Sequence, residues 1–350
     1  MTGFKAKQPV IVAMLALAGM LLAGCGSNVN KTKEAYTAVE ALDYNTALSL
    51  FDEAESEGEN IRLINRGRGI AYLGLTKYDD AVSCFESVLK SGNGFVTGFD
   101  VDTAFYMATA YMKDKQYDKA AEVYNAIADI KSDSADALLL RGTAMLAGGD
   151  YTSAKADFDT VINMDKRNYD RIIDICQILD YYGYGSPANE YLHAAMDADN
   201  GSMQAYDKGR IYYYLGDYQQ AALLFEQNRD KGGAANAIYL GKAYEAIGEY
   251  NYATNVYSSY LAKSGDDAAV YNQLGLCNML KNDYEAALAA FQSGMAIENS
   301  GLTQTLMYNE IVAYEYLGDF DKAKVLMRTY ISSYPDDETA KRENDFLSTR

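Results

Sequence analysis

Apolar and small residues return along this chain at fixed steps, and the steps define a unit. Between Ala205 and Phe225 they fall at Gly209, Tyr212, Tyr218, Ala221 and Phe225, spaced three, six, three and four. Steps of three and four keep residues on one helix face, so Gly209 and Tyr212 share one helix and Tyr218, Ala221 and Phe225 the next. The step of six crosses a turn. The frame recurs as Gly142, Met145, Tyr151, Ala154 and Phe158, as Gly241, Tyr244, Tyr250, Ala253 and Tyr257, and as Gly275, Asn278, Tyr284, Ala287 and Phe291. Marking each copy by its alanine gives Ala47, Ala81, Ala120, Ala154, Ala188, Ala221, Ala253, Ala287 and Ala323, at intervals of 34, 39, 34, 34, 33, 32, 34 and 36. A period near 34 predicts stacked helical hairpins. Small residues such as Gly209 and Ala221 let two helices approach, and the aromatics fill the space beside that contact. The turn carries its own signals. Gly149, Gly183, Gly216, Gly248 and Gly318, with Asn282, suit a left-handed helix stop. Asp150, Asp217, Asp283 and Asp319 follow and suit the N-cap of the second helix.

The motif resembles the tetratricopeptide repeat (TPR) family, with a small residue at position 8, aromatics at 11 and 17, alanine at 20 and an aromatic at 24. The resemblance runs from Lys33 to Pro335. It implies an all-α fold, a right-handed superhelical solenoid of about nine TPR helix-turn-helix repeats over 33–350, with Asp336 to Leu347 as a C-terminal capping helix. The first repeat lacks the Gly/Tyr pair in its first helix and reads as a capping unit with a wet outer face. Between the second and third repeats, Lys90 to Asp100 carries five extra residues, with three glycines, Phe95 and Phe99, and reads as a mobile loop with apolar tips. The fifth repeat is degenerate: Cys176 and Leu179 replace the small and aromatic residues, and Gly185 replaces the position-17 aromatic. Ser186-Pro187 reads there as N-cap and first helical residue, so the second helix is expected to start late, with a local change of twist and no domain break.

Residues 1–24 precede the array. Lys5 and Lys7 lead an apolar run from Val10 to Ala23 of 14 residues. A membrane-spanning helix needs roughly 20, so the run fits a signal-peptide core. It ends in Leu22-Ala23-Gly24-Cys25, which resembles the bacterial lipoprotein signal. The resemblance implies removal of 1–24, lipidation of Cys25 and a short tether over 25–32. Gly26 stands where inner-membrane retention in Gram-negative cells uses Asp, so the expected address is the outer membrane there, or the extracytoplasmic face of the cell membrane in a Gram-positive cell. At about 3.5 Å per residue, Gly26 to Lys31 reaches about 20 Å, which keeps the first repeat near the membrane surface.

Charge narrows the partners. The chain carries 49 acids and 31 bases, and loss of Lys5 and Lys7 takes its net charge from −18 to −20. Such a surface repels phosphate backbones, so nucleic acid is excluded as a partner class. A solvated acidic surface also keeps an exported protein soluble. Cys84, Cys176 and Cys277 sit in the second, fifth and eighth repeats, too far apart in a solenoid for the ~7 Å a disulfide allows, and read as small buried hydrophobes. His193 is the sole histidine and lies in a polar helical stretch. No zinc-ligand spacing, nucleophile motif or phosphate-cradling glycine loop is present, so no catalytic residue, metal or cofactor is assigned.

In TPR proteins, positions 2, 5, 9, 12 and 13 of each first helix line a concave groove. Carried onto this chain, the resemblance puts Met203, Tyr206, Arg210, Tyr213 and Tyr214 inside in the sixth repeat. It adds Ile173, Gln177, Asp180 and Tyr181 from the fifth, Ile238, Lys242 and Glu245 from the seventh, and Tyr308 and Tyr316 from the ninth. Tyrosines flanked by Arg210 and Lys242 suit an extended peptide or a partner helix, since Tyr and Arg dominate interface hot spots. They also suit stacking on a sugar, or plain packing between neighbouring helices in a chain with 32 tyrosines. The carboxylate-clamp pattern of chaperone-binding TPR domains is missing. The leading expectation is a membrane-anchored interaction scaffold for other cell-envelope proteins or peptides. The alternative is a peptide- or glycan-binding lipoprotein using the aromatic groove, and the Gly92 to Asp100 loop is a second candidate surface.

Overall fold

A computed structural model describes residues 30–350 except 93, 132, 133, 230 and 336. The signal peptide and the lipidation of Cys25 fall outside the described residues. Among those residues there are nineteen helices and no strands. They pack as consecutive hairpins in two compact units, divided between Ala188 and Asn189.

The first unit holds the hairpins α1 (Lys31–Glu40) with α2 (Tyr44–Ser56), α3 (Ile61–Gly74) with α4 (Tyr78–Lys90), α5 (Gly98–Lys113) with α6 (Tyr117–Ile130), and α7 (Ala135–Ala147) with α8 (Tyr151–Met164), followed by α9 (Tyr169–Tyr181). The division falls inside α10 (Gly185–Asp197), in the degenerate fifth repeat. The second unit continues with α11 (Ala205–Tyr214) and α12 (Tyr218–Gln227), α13 (Gly233–Ile247) and α14 (Tyr250–Ser264), and α15 (Ala268–Leu280) and α16 (Tyr284–Met295). It closes with α17 (Thr303–Leu317), α18 (Phe320–Ser333) and the capping helix α19 (Glu338–Ser348). This is the expected all-α array of consecutive helical hairpins with a closing helix.

The core follows the repeat frame. The nine marker alanines are buried, eight at 0% exposure and Ala188 at 4%. Four residues on, Phe51, Phe85, Tyr124, Phe158, Phe225, Tyr257 and Phe291 are buried too, each contributing about 1.5–3 kcal/mol by leaving water. The first-helix glycine is bare for a reason. A Cβ on Gly209 would lie 2.8 Å from the Phe225 ring, on Gly241 2.2 Å from the Tyr257 ring and on Gly275 2.3 Å from the Phe291 ring.

The turns match the sequence in six repeats and depart from it in three. Gly149, Gly183, Gly216, Gly248, Asn282 and Gly318 all have positive φ. Asp150, Asp217, Asp283 and Asp319 each accept the backbone N–H three residues on. In the first three repeats the same left-handed place is taken by Leu42, Thr76 and Lys115, at φ 61°, 58° and 61°. Side chains other than glycine or asparagine are strained there, and nothing in those residue types announces the turn.

Three local expectations are corrected. The second helix of the fifth repeat does not start late. It begins at Gly185, and Pro187 sits in its first turn, where its missing N–H costs nothing. The preceding turn sets the start: Tyr184 N–H donates to the Leu179 carbonyl at 2.8 Å, as Asp150 does to Met145 and Asp217 to Tyr212. The insertion before the third repeat is only in part a loop. Thr97 and Asp100 form a capping box that starts α5 at Gly98, so Phe99 and Asp100 belong to a helix and Asp100 is buried. Met203 precedes α11 and is buried, so it lines no groove helix. The described cysteines are free, with Cys176 and Cys277 buried and Cys84 half-buried.

Candidate functional site

Seven of the predicted groove residues lie in the second unit on two helices that face one another. Tyr206, Arg210, Tyr213 and Tyr214 stand on α11, and Ile238, Lys242 and Glu245 on α13. The residue that gathers the α11 group is Tyr239 of α13. Its ring lies 6.1 Å from Tyr206, 5.6 Å from Tyr213 and 6.4 Å from Tyr214, edge to face each time. It stacks on Phe225 at 5.5 Å with 23° between the planes. The Arg210 guanidinium lies over two of these rings, 5.4 Å from Tyr206 and 5.7 Å from Tyr239, and pairs with Asp207 at 3.5 Å. Such placement over desolvated rings is attractive by about 0.5–2 kcal/mol per ring. Tyr213 also packs edge-on against Tyr218 at 5.4 Å.

Polar groups run through the cluster. The Tyr214 and Tyr239 hydroxyls are 3.2 Å apart. Tyr257 donates to Glu245 at 2.8 Å. Burial, then the neighbouring Tyr218, Glu245 and Tyr239, pushes Tyr213 up to about 12, and burial raises Tyr214 as well. These phenols stay neutral donors throughout the physiological range. Burial lowers the Lys242 pKa against the pull of Glu245 and raises that of Glu245 against Tyr257 and Lys242. The face is therefore aromatic, half-buried and studded with hydroxyls, with Arg210 as its cation. It suits stacking and hydrogen bonding to a partner surface.

The remaining predicted residues do not join this cluster. Tyr181 belongs to the first unit, is 61% exposed and lies 5.0 Å from the Tyr182 ring. Tyr308 on α17 packs on Tyr330 at 5.7 Å. Burial, reinforced by Glu343, Glu315 and Asp337, pushes Tyr308 up to about 12. Tyr316 tilts against Tyr284 at 5.3 Å. In the insertion, Phe95 is 79% exposed, whereas Phe99 turns in beneath Arg62 and Arg66, at 5.3 and 4.9 Å.

Tyr239 was missed because it occupies position 6 of its repeat, beside the groove frame. A signal for it exists. Tyr106 holds position 6 of the third repeat and stacks on Phe85 at 6.0 Å and 20°. In both cases a position-6 tyrosine meets the position-24 ring of the repeat before.

Among the described residues no group of three or more His, Cys, Asp or Glu could hold a metal ion, and no helix is long and apolar enough to cross a membrane. The tetratricopeptide repeat family matches residues 66–135, 105–170, 238–297 and 306–337. No curated protein sequence matches the chain. Among solved structures, yeast Tom70 is 16% identical with a TM-score of 0.50, covering 91% of this chain and 80% of its own. A tetratricopeptide repeat protein from Parabacteroides merdae is 17% identical with a TM-score of 0.41, covering 80% and 97%. YrrB, a TPR protein with an unusual peptide-binding site, is 20% identical with a TM-score of 0.36, covering 54% and 97%.

Proposed function

From the premise that this chain carries tetratricopeptide repeats, which bind other proteins or peptides, we propose that it is a lipid-anchored interaction scaffold of the bacterial cell envelope. The observation that carries the reading is the α11–α13 face, where Arg210 lies over Tyr206 and Tyr239 with Tyr213 and Tyr214 beside them. Rings and a guanidinium of this kind give a large rigid contact area at small conformational cost, the make-up of an interface hot spot. The anchor rests on the sequence ending Leu22-Ala23-Gly24-Cys25. Multiple acyl chains on Cys25 would hold the protein stably at the membrane, where a single chain would be marginal. Tetratricopeptide repeats serve as binding surfaces, which favours assembly as the role.

Crosslinking capture from native envelopes tests the reading. The full-length lipoprotein is compared with an Arg210→Ala/Tyr214→Ala variant whose helix content is checked by circular dichroism. One enriched protein, lost with the variant, is expected. Identical captures from both baits would remove the α11–α13 face from the account. Saturable binding of a soluble glycan or short peptide, abolished by Tyr213→Ala, would replace the scaffold with a ligand-binding lipoprotein. Cys25→Ser is expected to release the protein from membranes, and continued retention would remove the anchor.

A further inference from the structure

One repeat of the second unit breaks the frame at three places that meet in space. Position 11 is a tyrosine in the seventh and ninth repeats, and its ring is held between the second helices of two successive hairpins. Tyr244 on α13 donates to Glu226 of α12 at 3.1 Å and stacks on Tyr252 of α14 at 5.5 Å and 25°. Tyr314 on α17 accepts from Gln292 of α16 at 3.4 Å and lies under Lys322 of α18 at 5.0 Å. The residues that grip the ring hold fixed places in the frame. Glu226 and Gln292 each stand five residues after a marker alanine, and Tyr252 and Lys322 each stand just before one. Around α15 all three places carry something smaller: Asn278 at position 11, Ser258 five residues after Ala253, and Ala286 just before Ala287.

Asn278, Ser258 and Ala286 line one cavity of about 350 Å³ between α14, α15 and α16. It lies where a tyrosine ring lies in the repeats on either side. Ser258 and Ser293 are exposed, so the cavity opens to solvent at its rim. Leu274, one turn before Asn278, gives it an apolar wall. Lys281, the C-cap of α15, brings a cation to it, as Lys322 does over the Tyr314 ring. Asn278 is 6% exposed, and its side-chain amide makes no hydrogen bond among the described residues. A buried amide left so is costly, and it calls for a group that can both donate and accept. A phenol is such a group, and its ring suits the space between the helices. A phenylalanine ring would fill the space and leave the amide unanswered.

We propose that this cavity receives a tyrosine side chain of a partner protein, its ring lying where Tyr244 and Tyr314 lie in the flanking repeats and its hydroxyl bonded to the Asn278 amide. The source of the ring rests on the scaffold reading, and the docking partner then carries a chemical mark, an exposed tyrosine. The cavity is separate from the α11–α13 face, which is built on first helices, whereas this one lies between second helices.

Isothermal titration calorimetry on the full chain in detergent tests this with three probes: an end-blocked peptide with one tyrosine between glycines, the same peptide with phenylalanine in its place, and p-cresol. The tyrosine peptide is expected to bind saturably, and the phenylalanine peptide roughly tenfold more weakly, for want of the hydroxyl. Asn278→Tyr supplies the ring from within, and Ala286→Tyr covers the cavity as Tyr252 covers Tyr244; each is expected to abolish binding. Should one of them fail to fold by circular dichroism, the other decides, and the two peptides on the unaltered chain still decide the hydroxyl contact. Arg210→Ala/Tyr214→Ala is expected to bind the tyrosine peptide unchanged, so a failed envelope capture and a failed titration here fall on separate claims. No saturable heat from the tyrosine peptide would overturn the proposal, as would binding that survives both substitutions or equal affinity for the phenylalanine peptide. Saturable p-cresol with no response to the tyrosine peptide would assign the cavity to a free phenol and overturn the protein partner.

Discussion

The two units join their repeats by different chemistry. In the first, arginines reach across from one hairpin to the next. Arg62 pairs with Asp100, Arg66 with Asp102 at 2.6 Å, Arg68 with Asp52 and Glu55 at 2.6 Å each, and Arg171 with Asp136 at 2.6 Å. In the second, the described pairs Arg210–Asp207, Arg229–Glu226, Lys324–Asp321 and Lys341–Glu338 each stay within one turn of chain, and Lys208–Asp199, at 3.6 Å, ties α11 to the segment just before it. Its hairpins meet instead through rings and amides: Tyr239 against the α11 tyrosines, and Asn309 donating to Asn272 at 2.8 Å. A charge clamp spends the polar groups of a face on neighbouring repeats. Ring-to-ring joining holds a guanidinium over the rings, as Arg210 lies over Tyr206 and Tyr239. The same backbone unit thus supports two ways of joining one hairpin to the next.

The largest expected effect tests what the units share. Phe85→Ala and Phe225→Ala each empty the central ring of a hairpin and should cost about 3–5 kcal/mol, read from thermal melts followed by circular dichroism. Phe225→Ala should cost more, because that ring also supports Tyr206 and Tyr239. Equal losses would mean that the aromatic cluster adds nothing to the hairpin. Next come the joints. Arg62→Ala leaves Asp100, 8% exposed, without its guanidinium and should cost about 2 kcal/mol, whereas Tyr239→Phe removes one hydroxyl contact and should cost about 1 kcal/mol. Salt separates them: between 0.1 and 1 M, amide exchange should quicken in α3 and α5 and hold steady in α11 and α13, since screening acts on the charge clamps. The turns follow. Thr76→Gly should stabilise by about 1 kcal/mol and Gly216→Thr should destabilise by a similar amount, because only the residue at positive φ changes.

The response to pH differs in sign between the units. Asp100 lies below the usual carboxylate range: burial pushes it up, but Thr97 and Arg62 pull it down further. Its contribution is present above the unfolded pKa and is lost as pH falls through the lower folded value. Glu315 on α17 goes the other way. Burial, then the neighbouring Glu343 on α19, pushes it up to about 7. The folded protein keeps a proton that the unfolded chain gives up near 4.5, so stability falls as pH rises from about 4.5 towards 7. Glu315→Gln should flatten that upper limb of a melting temperature profile and leave the acid limb intact.

Much of this was legible in the residues because each repeat states its hairpin twice, in its helical spacing and in its turn. Ala154, Gly149 and Asp150 agree on one hairpin, and the structure follows them. Where the turn carries no signal, as at Leu42, Thr76 and Lys115, packing on either side imposes the left-handed conformation against local preference. Pro187 misled because a proline fits anywhere in a helix's first turn, and the start is fixed by the Tyr184 to Leu179 bond upstream. The groove frame found Tyr206, Arg210, Tyr213 and Tyr214 but passed over Tyr239, whose place depends on which ring of the preceding hairpin it meets.

The contact of a bare glycine with a ring has a consequence for how such a chain can grow. Gly69 and Phe85, Gly142 and Phe158, Gly209 and Phe225, Gly241 and Tyr257, and Gly275 and Phe291 each belong to a single repeat. This fit is thus carried whole by each of these five copies, although a closer one, Gly67 at 2.0 Å from the Phe51 ring, joins the second repeat to the first. Duplicating or deleting one segment of DNA adds or removes both halves of the fit together. Length becomes a quantity inherited in steps of one hairpin, while the residues that differ between copies remain open to take on separate tasks.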